Sequence, residues 1–148
     1  MNSPFPNRVF VTGIGTDIGK TVATAILCKA LSADYWKPVQ AGSLEQTDSD
    51  FVKSFGVQVH QEVYRLNTPA SPHHAAALEG KAIDIERIII PETSSRLLIE
   101  GAGGVMVPLN EQELILDLIV HLNVPVIVVS QNYLGSINHT LLTCEMLN

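Results

Sequence analysis

Apolar residues in this chain form short, continuous runs that are separated by polar and glycine-rich stretches. Four runs, at residues 9–12, 35–39, 96–100 and 125–130, predict β-strands rich in valine, isoleucine, leucine and aromatic side chains. Because apolar and polar residues do not alternate within these runs, both faces of each strand are expected to be covered. That pattern is typical of a parallel sheet with helices on both sides.

Helical spacing of apolar residues separates these strands. Helices are predicted from residue 20, at residues 49–55, 71–78, 83–90 and 113–122, and from residue 137, whereas residues 57–66 are ambiguous. In the first helix Val22, Ile26 and Ala30 share one face, with Ala23 and Leu27 beside them, and the face of the last helix is Leu141, Leu142 and Met146. Strands that alternate with helices indicate a doubly wound α/β fold, here one domain over residues 1–148, with sites at the carboxyl ends of the strands.

A glycine-rich stretch at residues 13–19 connects the first strand to the first helix and leads into Lys20 and Thr21. Glycines at such a turn let backbone N–H groups converge on an anion, and the helix dipole adds to this attraction. A lysine at the helix start supplies charge for the β- and γ-phosphates, and the hydroxyl can ligate Mg²⁺. The sequence therefore predicts a phosphate-binding loop; a glycine turn with a lysine cap is the alternative. The spacing from Gly13 to Gly19 is one residue longer than the pattern G-x-x-x-x-G-K-[ST] requires.

Three further charged residues follow predicted strands or lie near their ends. Glu100 ends the third strand, where a nucleotide-bound metal is expected in such a sheet, although an exposed acid there is the alternative. Asp50 is a weaker metal candidate, since Asp48 and Asp50 can both be acids at a helix start. Lys37 lies near the end of the second strand, where lysine is unusual unless it faces solvent. Facing a phosphate site, it would stabilise charge on a transferred phosphoryl group.

Composition narrows the classes of partner. The 148 residues carry a net charge of −6 without any basic tract, which argues against nucleic acid or anionic membrane as a partner. No apolar run approaches the roughly 20 residues of a membrane-spanning helix. Cys28 and Cys144 have no metal or redox spacing, and the first eight residues lack an apolar segment, so a reducing cytoplasmic location is expected.

Taken together, the motifs resemble those of the dethiobiotin synthetase family. The matching blocks are "FVTGIGTDIGKT", "YWKPVQAGS", "DSD", "SPHH", "IEGAGGVMVPL", "PVIVV" and "LGSINHTLLT", which cover nearly the whole chain in family order. The family's phosphate loop has the longer glycine spacing found here. The resemblance implies a P-loop NTPase-like fold with a mostly parallel sheet.

The resemblance also implies the site. It assigns ATP to Gly13, Thr16, Asp17, Ile18, Gly19, Lys20, Thr21, Val22, Asp50, Glu100, Gly101, Ala102 and Gly103. It assigns Mg²⁺ to Thr21, Asp50 and Glu100, and catalysis to Lys37 together with Lys20 at the terminal phosphates. It assigns the substrate to Lys37, Ala41, Gly104, Val105, Gly135, Ser136 and Asn138. In the family, the helix start at the last three binds the substrate carboxylate of the partner subunit, which implies a homodimer. Many relatives have Ser or Thr where this chain has Ala41, so a side-chain hydrogen bond is absent here.

The implied reaction joins 7,8-diaminononanoate and CO₂ at the expense of ATP, giving dethiobiotin, ADP and phosphate. The family continues past the position of Asn148 with a strand and an adenine-recognising segment, so a C-terminally truncated chain is expected. The alternative is a P-loop nucleotide-binding module or ATPase switch without synthetase activity. Partitioning-type switches usually carry a second lysine early in the loop, where this chain has Thr12, Gly13 and Ile14.

Overall fold

A computed structural model describes residues 5–148 and contains a central sheet of five parallel strands. These strands are β1 (Arg8–Gly13), β2 (Ala33–Trp36), β4 (Val59–His60), β6 (Arg96–Gly104) and β7 (Val126–Val129), in the order β4-β2-β6-β1-β7. A separate parallel pair consists of β3 (Val39–Ala41) and β5 (Tyr64–Leu66). The predicted α/β fold with a mostly parallel sheet is therefore confirmed.

Helices cover both faces of the central sheet. They are α1 (Lys20–Leu31), α2 (Asp48–Ser54), α3 (Pro72–Leu78), α4 (Ile115–Leu122) and α5 (Ser136–Met146), with a 3₁₀ turn at Ile85–Arg87. One buried cluster joins the sheet to α1 and α2, and a second joins it to α3, α4 and the 3₁₀ turn. Within residues 5–148, no helix is both long and apolar enough to cross a lipid bilayer.

The alternation of side chains along each strand explains why the strands read as continuous apolar runs. In β1, Val9 and Val11 pack towards α1, whereas Phe10 packs into the opposite cluster. In β2, Tyr35 and Trp36 divide in the same way. β1 and β2 therefore bury successive side chains on opposite faces, as expected for a sheet covered on both sides, whereas the edge strands β4 and β7 are half-buried.

Two predicted elements differ from the structure. The strand predicted at residues 35–39 is divided between β2 and β3, because Pro38 has no N–H to continue the ladder and directs the chain into a second sheet. The helix predicted at residues 83–90 is only the 3₁₀ turn Ile85–Arg87. The apolar residues Ile83, Ile85 and Ile88 of this segment are buried; Ile85 lies in the 3₁₀ turn and the other two lie in irregular backbone on either side of it.

The apolar faces predicted for the first and last helices are largely exposed, although Leu27 of α1 packs against a buried cluster. In α1, Val22 and Ile26 are 51% and 63% exposed, and the helix instead packs on the sheet through Thr24, Ala25 and Cys28. Because these three side chains are small, α1 can lie close to the sheet. Val22 and Ile26 are on the opposite side of the helix and face away from the sheet. The residues Leu141, Leu142 and Met146 of α5 are also exposed.

Candidate active site

A cleft of about 860 Å³ opens beside the loop between β1 and α1. Residues of this loop and of α1 line one part of it, namely Thr16, Asp17, Gly19, Lys20, Thr21 and Val22. The ends of β2, β3 and β6 and the start of α2 contribute Lys37, Gln40, Ala41, Asp48, Glu100, Ala102 and Gly103. The cleft therefore lies where the fold predicts a ligand site, outside the carboxyl ends of parallel strands.

Close packing fixes the shape of the glycine loop. A Cβ atom on Gly13 would lie 2.5 Å from Cδ1 of Ile18, so any larger residue there would displace that side chain. Ile18 is itself buried and thereby attaches the loop to the protein. Gly19 precedes α1 with φ of 88°, a left-handed conformation that favours glycine. The ammonium of Lys20 donates to the carbonyl oxygen of Gly15 at 2.6 Å and so spans the loop.

Four side chains converge at the floor of the cleft, and we call them the carboxylate cluster: Thr21, Lys37, Asp48 and Glu100. The Thr21 hydroxyl lies 2.8 Å from Glu100 Oε1 and 3.1 Å from Asp48 Oδ1. Lys37 Nζ lies 3.2 Å from the same Glu100 oxygen and forms a short ion pair with Asp48. One hydroxyl, one ammonium and two carboxylates thus meet within hydrogen-bonding distance.

The register of β2 and β6 explains this meeting. The two strands pair in parallel, with Trp36 opposite Ile99. The residues that follow this pair, Lys37 just after the end of β2 and Glu100 within β6, therefore lie side by side. Tyr35 is two residues before Lys37 and points to the same face, since side chains alternate along a strand.

Tyr35 contacts Glu100 from the protein interior. Its hydroxyl oxygen lies 3.0 Å from Glu100 Oε2, the oxygen that neither Thr21 nor Lys37 contacts. Burial and the adjacent carboxylate of Glu100 raise the pKa of Tyr35 well above its ordinary value. The tyrosine hydroxyl therefore stays protonated and donates a hydrogen bond to Glu100 Oε2.

The two lysines have different electrostatic surroundings. Burial acts to lower the pKa of Lys37, but the carboxylates of Glu100 and Asp48 outweigh this effect and raise it. Burial lowers the pKa of Lys20, and the positive charge of Lys37 lowers it further. The positive charge of Lys37 is therefore already balanced by two carboxylates. Lys20 has no such ion pair in the part of the chain that the structure describes, so an anion such as phosphate would stabilise its charge.

The structure places the Asp50 side chain, predicted as a metal ligand, away from the carboxylate cluster. Asp50 is exposed and caps α2: its carboxylate accepts from the backbone N–H of Thr47 at 3.0 Å and from the Thr47 hydroxyl at 2.7 Å. These hydrogen bonds lower the pKa of Asp50. The side chain two residues earlier, Asp48, lies with Thr21 and Glu100 instead. Residues 48 and 50 point to different sides of a helix because two residues turn it by about 200°.

The structure places the other predicted residues in two groups. Ala41, Ala102 and Gly103 line the cleft together with the loop residues named above. Gly101 and Val105 face the core instead: a Cβ on Gly101 would lie 2.8 Å from the ring of Phe10, and Val105 is buried among apolar residues.

The remaining predicted substrate residues also lie outside the lining of the cleft. A Cβ on Gly104 would lie 3.3 Å from the carbonyl oxygen of Gly13, in the backbone of the loop. Gly135 precedes α5, Ser136 begins it in a buried position, and Asn138 is exposed. None of these four residues lines the cleft of its own chain.

Several lining residues were not identified from the sequence. Gln40, Ser43 and Gln46 follow Lys37 along the chain, and residues 69–72 also line the cleft. The nearest signal was the polar composition of residues 40–47, which is typical of a functional loop but names no single residue. Tyr35 was also missed, because its role depends on which strand lies beside β2.

The carboxylate cluster has the donor chemistry that Mg²⁺ prefers. Thr21, Asp48 and Glu100 supply a hydroxyl and two carboxylates, and Mg²⁺ usually binds through one or two carboxylates plus phosphate oxygens and water. Within residues 5–148 no group of three or more His, Cys, Asp or Glu side chains is arranged to hold a metal ion. The cluster thus suits a metal that arrives with a phosphate ligand.

A strand, a glycine loop, a helix beginning Lys-Thr and an acidic residue on the neighbouring strand define a P-loop nucleoside-triphosphate-binding protein. A family model described as an AAA domain matches residues 7–148. The chain is 53% identical to the ATP-dependent dethiobiotin synthetase BioD of Christiangramia forsetii, over 96% of this chain and 70% of that protein. It is 51% identical to the proteins of the same name from Cytophaga hutchinsonii, over 95% and 70%, and Brucella ovis, over 94% and 68%. The chain belongs to the family of ATP-dependent dethiobiotin synthetases.

Proposed function

We propose that this protein is an ATP-dependent dethiobiotin synthetase, a cyclo-ligase that forms carbon–nitrogen bonds. The proposal rests on membership of the family together with one observation: Lys20, Thr21, Lys37, Asp48 and Glu100 all line a single cleft. This set combines a phosphate-binding loop, a metal-compatible pair of carboxylates and a second lysine. An exposed surface acid or a solvent-facing lysine would not lie in such a cluster.

Thr21, Asp48 and Glu100 would hold Mg²⁺, with Asp48 replacing the Asp50 of the sequence prediction. When bound, the ion supplies neutralisation of negative charge on the phosphates. Lys20 and the backbone N–H groups of residues 16–21 would bind and orient the triphosphate in the loop. The chain as a whole carries a net negative charge of −6. Lys20 and these N–H groups therefore form a locally positive site that attracts an anionic ligand.

The substrate supplies every nucleophile in the proposed reaction. One amine of 7,8-diaminononanoate adds to CO₂ and loses a proton, giving a carbamate. A carbamate oxygen attacks the γ-phosphorus, the bond to the β-phosphate oxygen breaks, and ADP leaves. The second amine attacks the carbamoyl carbon and loses a proton, and phosphate leaves as the cyclic urea closes. The protein therefore needs to orient reactants and stabilise charge.

Lys37 is the side chain best placed to stabilise the transferred phosphoryl group. It is a protonated amine at the cleft, held between Asp48 and Glu100, and its position is fixed before the substrate arrives. The diamine would lie beside Ala41, which lines the same cleft. With Ala41 contributing no hydroxyl, we assign the contacts there to its neighbours Gln40 and Ser43.

We further propose a homodimer in the cytoplasm. The start of α5 lies outside the lining of this chain's own cleft, which is compatible with a role in the cleft of a second copy. Exposed apolar residues on α5, including Leu141 and Leu142, would be covered by such a contact. Two free thiols, one buried and one exposed, suit a reducing compartment.

The test is release of phosphate from Mg-ATP and bicarbonate, with and without 7,8-diaminononanoate. We expect release that depends on the diamine, with dethiobiotin detected by mass spectrometry. Lys37→Ala should bind nucleotide normally but lose a hundredfold or more in turnover, since loss of one charge-stabilising group costs about 10²–10³. Nucleotide binding without diamine-dependent release in the folded wild type would contradict the proposal and leave a P-loop nucleotide-binding module or ATPase switch.

A further inference from the structure

The two carboxylate oxygens of Glu100 have separate partners. Oε1 faces the cleft and lies within hydrogen-bonding distance of Thr21 and Lys37. Oε2 faces the interior and is contacted by the hydroxyl of Tyr35 at 3.0 Å. Glu100 is 1% exposed and Tyr35 is fully buried, so no solvent competes for this second oxygen.

This arrangement limits how the carboxylate can turn. A glutamate carboxylate rotates readily about its last bond and can present either oxygen, or both. The Tyr35 hydroxyl sits on a rigid ring that packs among Val9, Leu98 and Val52, between the sheet and α2. A donor fixed in the core therefore holds one oxygen of Glu100 and leaves the other directed at the cleft.

We propose that Tyr35 is a positioning residue for the metal site, whose hydroxyl holds Glu100 so that a single oxygen, Oε1, is presented to Mg²⁺. This inference rests on the proposed function only in assuming a Mg-nucleotide site at the carboxylate cluster. Hydrogen-bond partners behind metal ligands commonly change metal affinity or activity by about 10–100-fold when they are removed. Tyr35 therefore belongs to the metal site although it does not line the cleft.

The experiment is a Mg²⁺ titration of nucleotide binding to Tyr35→Phe, followed with a fluorescent ATP analogue in the full chain. We expect the Mg²⁺ concentration at half-saturation to rise about tenfold or more. Nucleotide affinity without Mg²⁺ should stay within about twofold, because the loop contacts are unchanged. Tyr64→Phe is the matched control: it removes a hydroxyl bonded to the backbone of Asp84 and should leave the titration unchanged.

A double-mutant cycle separates positioning of Glu100 from general packing. In a Glu100→Gln background, Tyr35→Phe should change the Mg²⁺ requirement by less than about twofold, because the carboxylate it positions is gone. An equal effect of Tyr35→Phe with and without Glu100 would overturn the inference. An unchanged Mg²⁺ requirement in the single Tyr35→Phe variant would also overturn it.

Folding is checked by circular dichroism before each titration. If Tyr35→Phe does not fold, Tyr35→Met replaces it, since a flexible apolar chain fills the space without a donor. Failure of both variants to fold, with Tyr64→Phe folded, would assign Tyr35 to core stability and overturn the inference. The readout is independent of the diamine. A changed Mg²⁺ titration without diamine-dependent turnover would contradict only the proposed function, whereas normal turnover with an unchanged titration would contradict only the role of Tyr35.

Discussion

At the scale of single residues, three charged groups of the cleft, Lys37, Asp48 and Glu100, have partners before any ligand binds. Lys37 is held by two carboxylates, Glu100 by three donors and Asp48 by Thr21 and Lys37. Removing one member of a buried charged set leaves the others without partners, which is costly in free energy. Variants at this cluster therefore need a stability measurement beside every functional one.

Asp48 and Asp50 provide a matched pair of substitutions. Asp48→Asn should weaken Mg²⁺-dependent nucleotide binding about tenfold or more, because it removes a charged oxygen from the proposed metal site. Asp50→Asn should leave that binding within about twofold, since its carboxylate faces Thr47 and solvent. Calorimetric titration with Mg-ADP and Mg-ATP measures both.

The opposite ranking would restore Asp50 as the metal ligand. As a folding control, both variants are unfolded in urea: Asp50→Asn weakens the cap of α2, so a modest loss in the free energy of unfolding is expected there. That loss would depend on pH. Because the pKa of Asp50 is lowered in the folded state, the ionised carboxylate adds to the free energy of unfolding at neutral pH. This stabilisation disappears as the pH falls through the folded-state pKa of Asp50.

The sequence identified most residues of the cleft but not their partners. Lys20, Thr21, Lys37 and Glu100 were found because motif order and strand ends constrain them strongly. Which of Asp48 and Asp50 faces the cleft depends on the start of α2 to within one residue, and helix ends are the least certain part of a sequence-based assignment. Tyr35 required the strand order, which local sequence does not specify.

At the scale of elements, α2 positions Asp48 through its first turn. Thr47 caps the helix: its hydroxyl accepts from the backbone N–H of Asp50 at 3.0 Å, and the Asp50 carboxylate accepts in return from the N–H of Thr47. This reciprocal pair is a capping box, which fixes the helix start. The direction of the Asp48 side chain into the cleft therefore depends on a cap outside it.

Thr47→Ala should lower the free energy of unfolding by about 1 kcal/mol, the usual cost of losing an N-cap side chain. We also expect weaker Mg²⁺-dependent nucleotide binding, because the start of α2 would no longer be fixed. Urea unfolding followed by circular dichroism measures the first effect. Ser71→Ala is the control: Ser71 precedes α3 without any side-chain capping bond, so its loss of stability should be clearly smaller. Equal losses in the two variants would contradict the assigned role of the Thr47 cap.

The order of elements was predictable where local signals agree and was not where tertiary packing decides. Apolar runs ending in glycine or polar loops gave β1, β6 and β7, since such strands need no alternation when both faces are covered. The two short strands β4 and β5 lie in a segment without clear periodicity. The apolar residues around the 3₁₀ turn Ile85–Arg87 have the spacing of an α-helix. They are buried in the core, but the backbone there is not α-helical.

At the scale of the whole molecule, buried and exposed apolar surface are divided unevenly. Both faces of the central sheet are covered, yet several large apolar side chains of α1 and α5 face outward: Val22, Ile26, Ile137, Leu141 and Leu142. Ile137 and Leu141 are four residues apart on α5 and so lie on one face of that helix. Exposed apolar patches commonly mark interaction surfaces. The apolar faces that the sequence predicts for α1 and α5 are therefore exposed in the single chain. Such faces suit contact with a second protein chain.

The proposed homodimer makes α5 the element to test. Sedimentation equilibrium of the wild-type chain should give the mass of a dimer, and Leu141→Lys should shift it to the monomer, because a charge would replace apolar surface at the contact. Leu141 is 64% exposed, so the lysine is tolerated in a single chain and the free energy of unfolding of the monomer should change little. Ile89→Lys is the matched control, since Ile89 is 74% exposed and lies outside α1 and α5. A wild-type chain that stays monomeric at every concentration would contradict the dimer, and equal dissociation by both variants would move the contact away from α5.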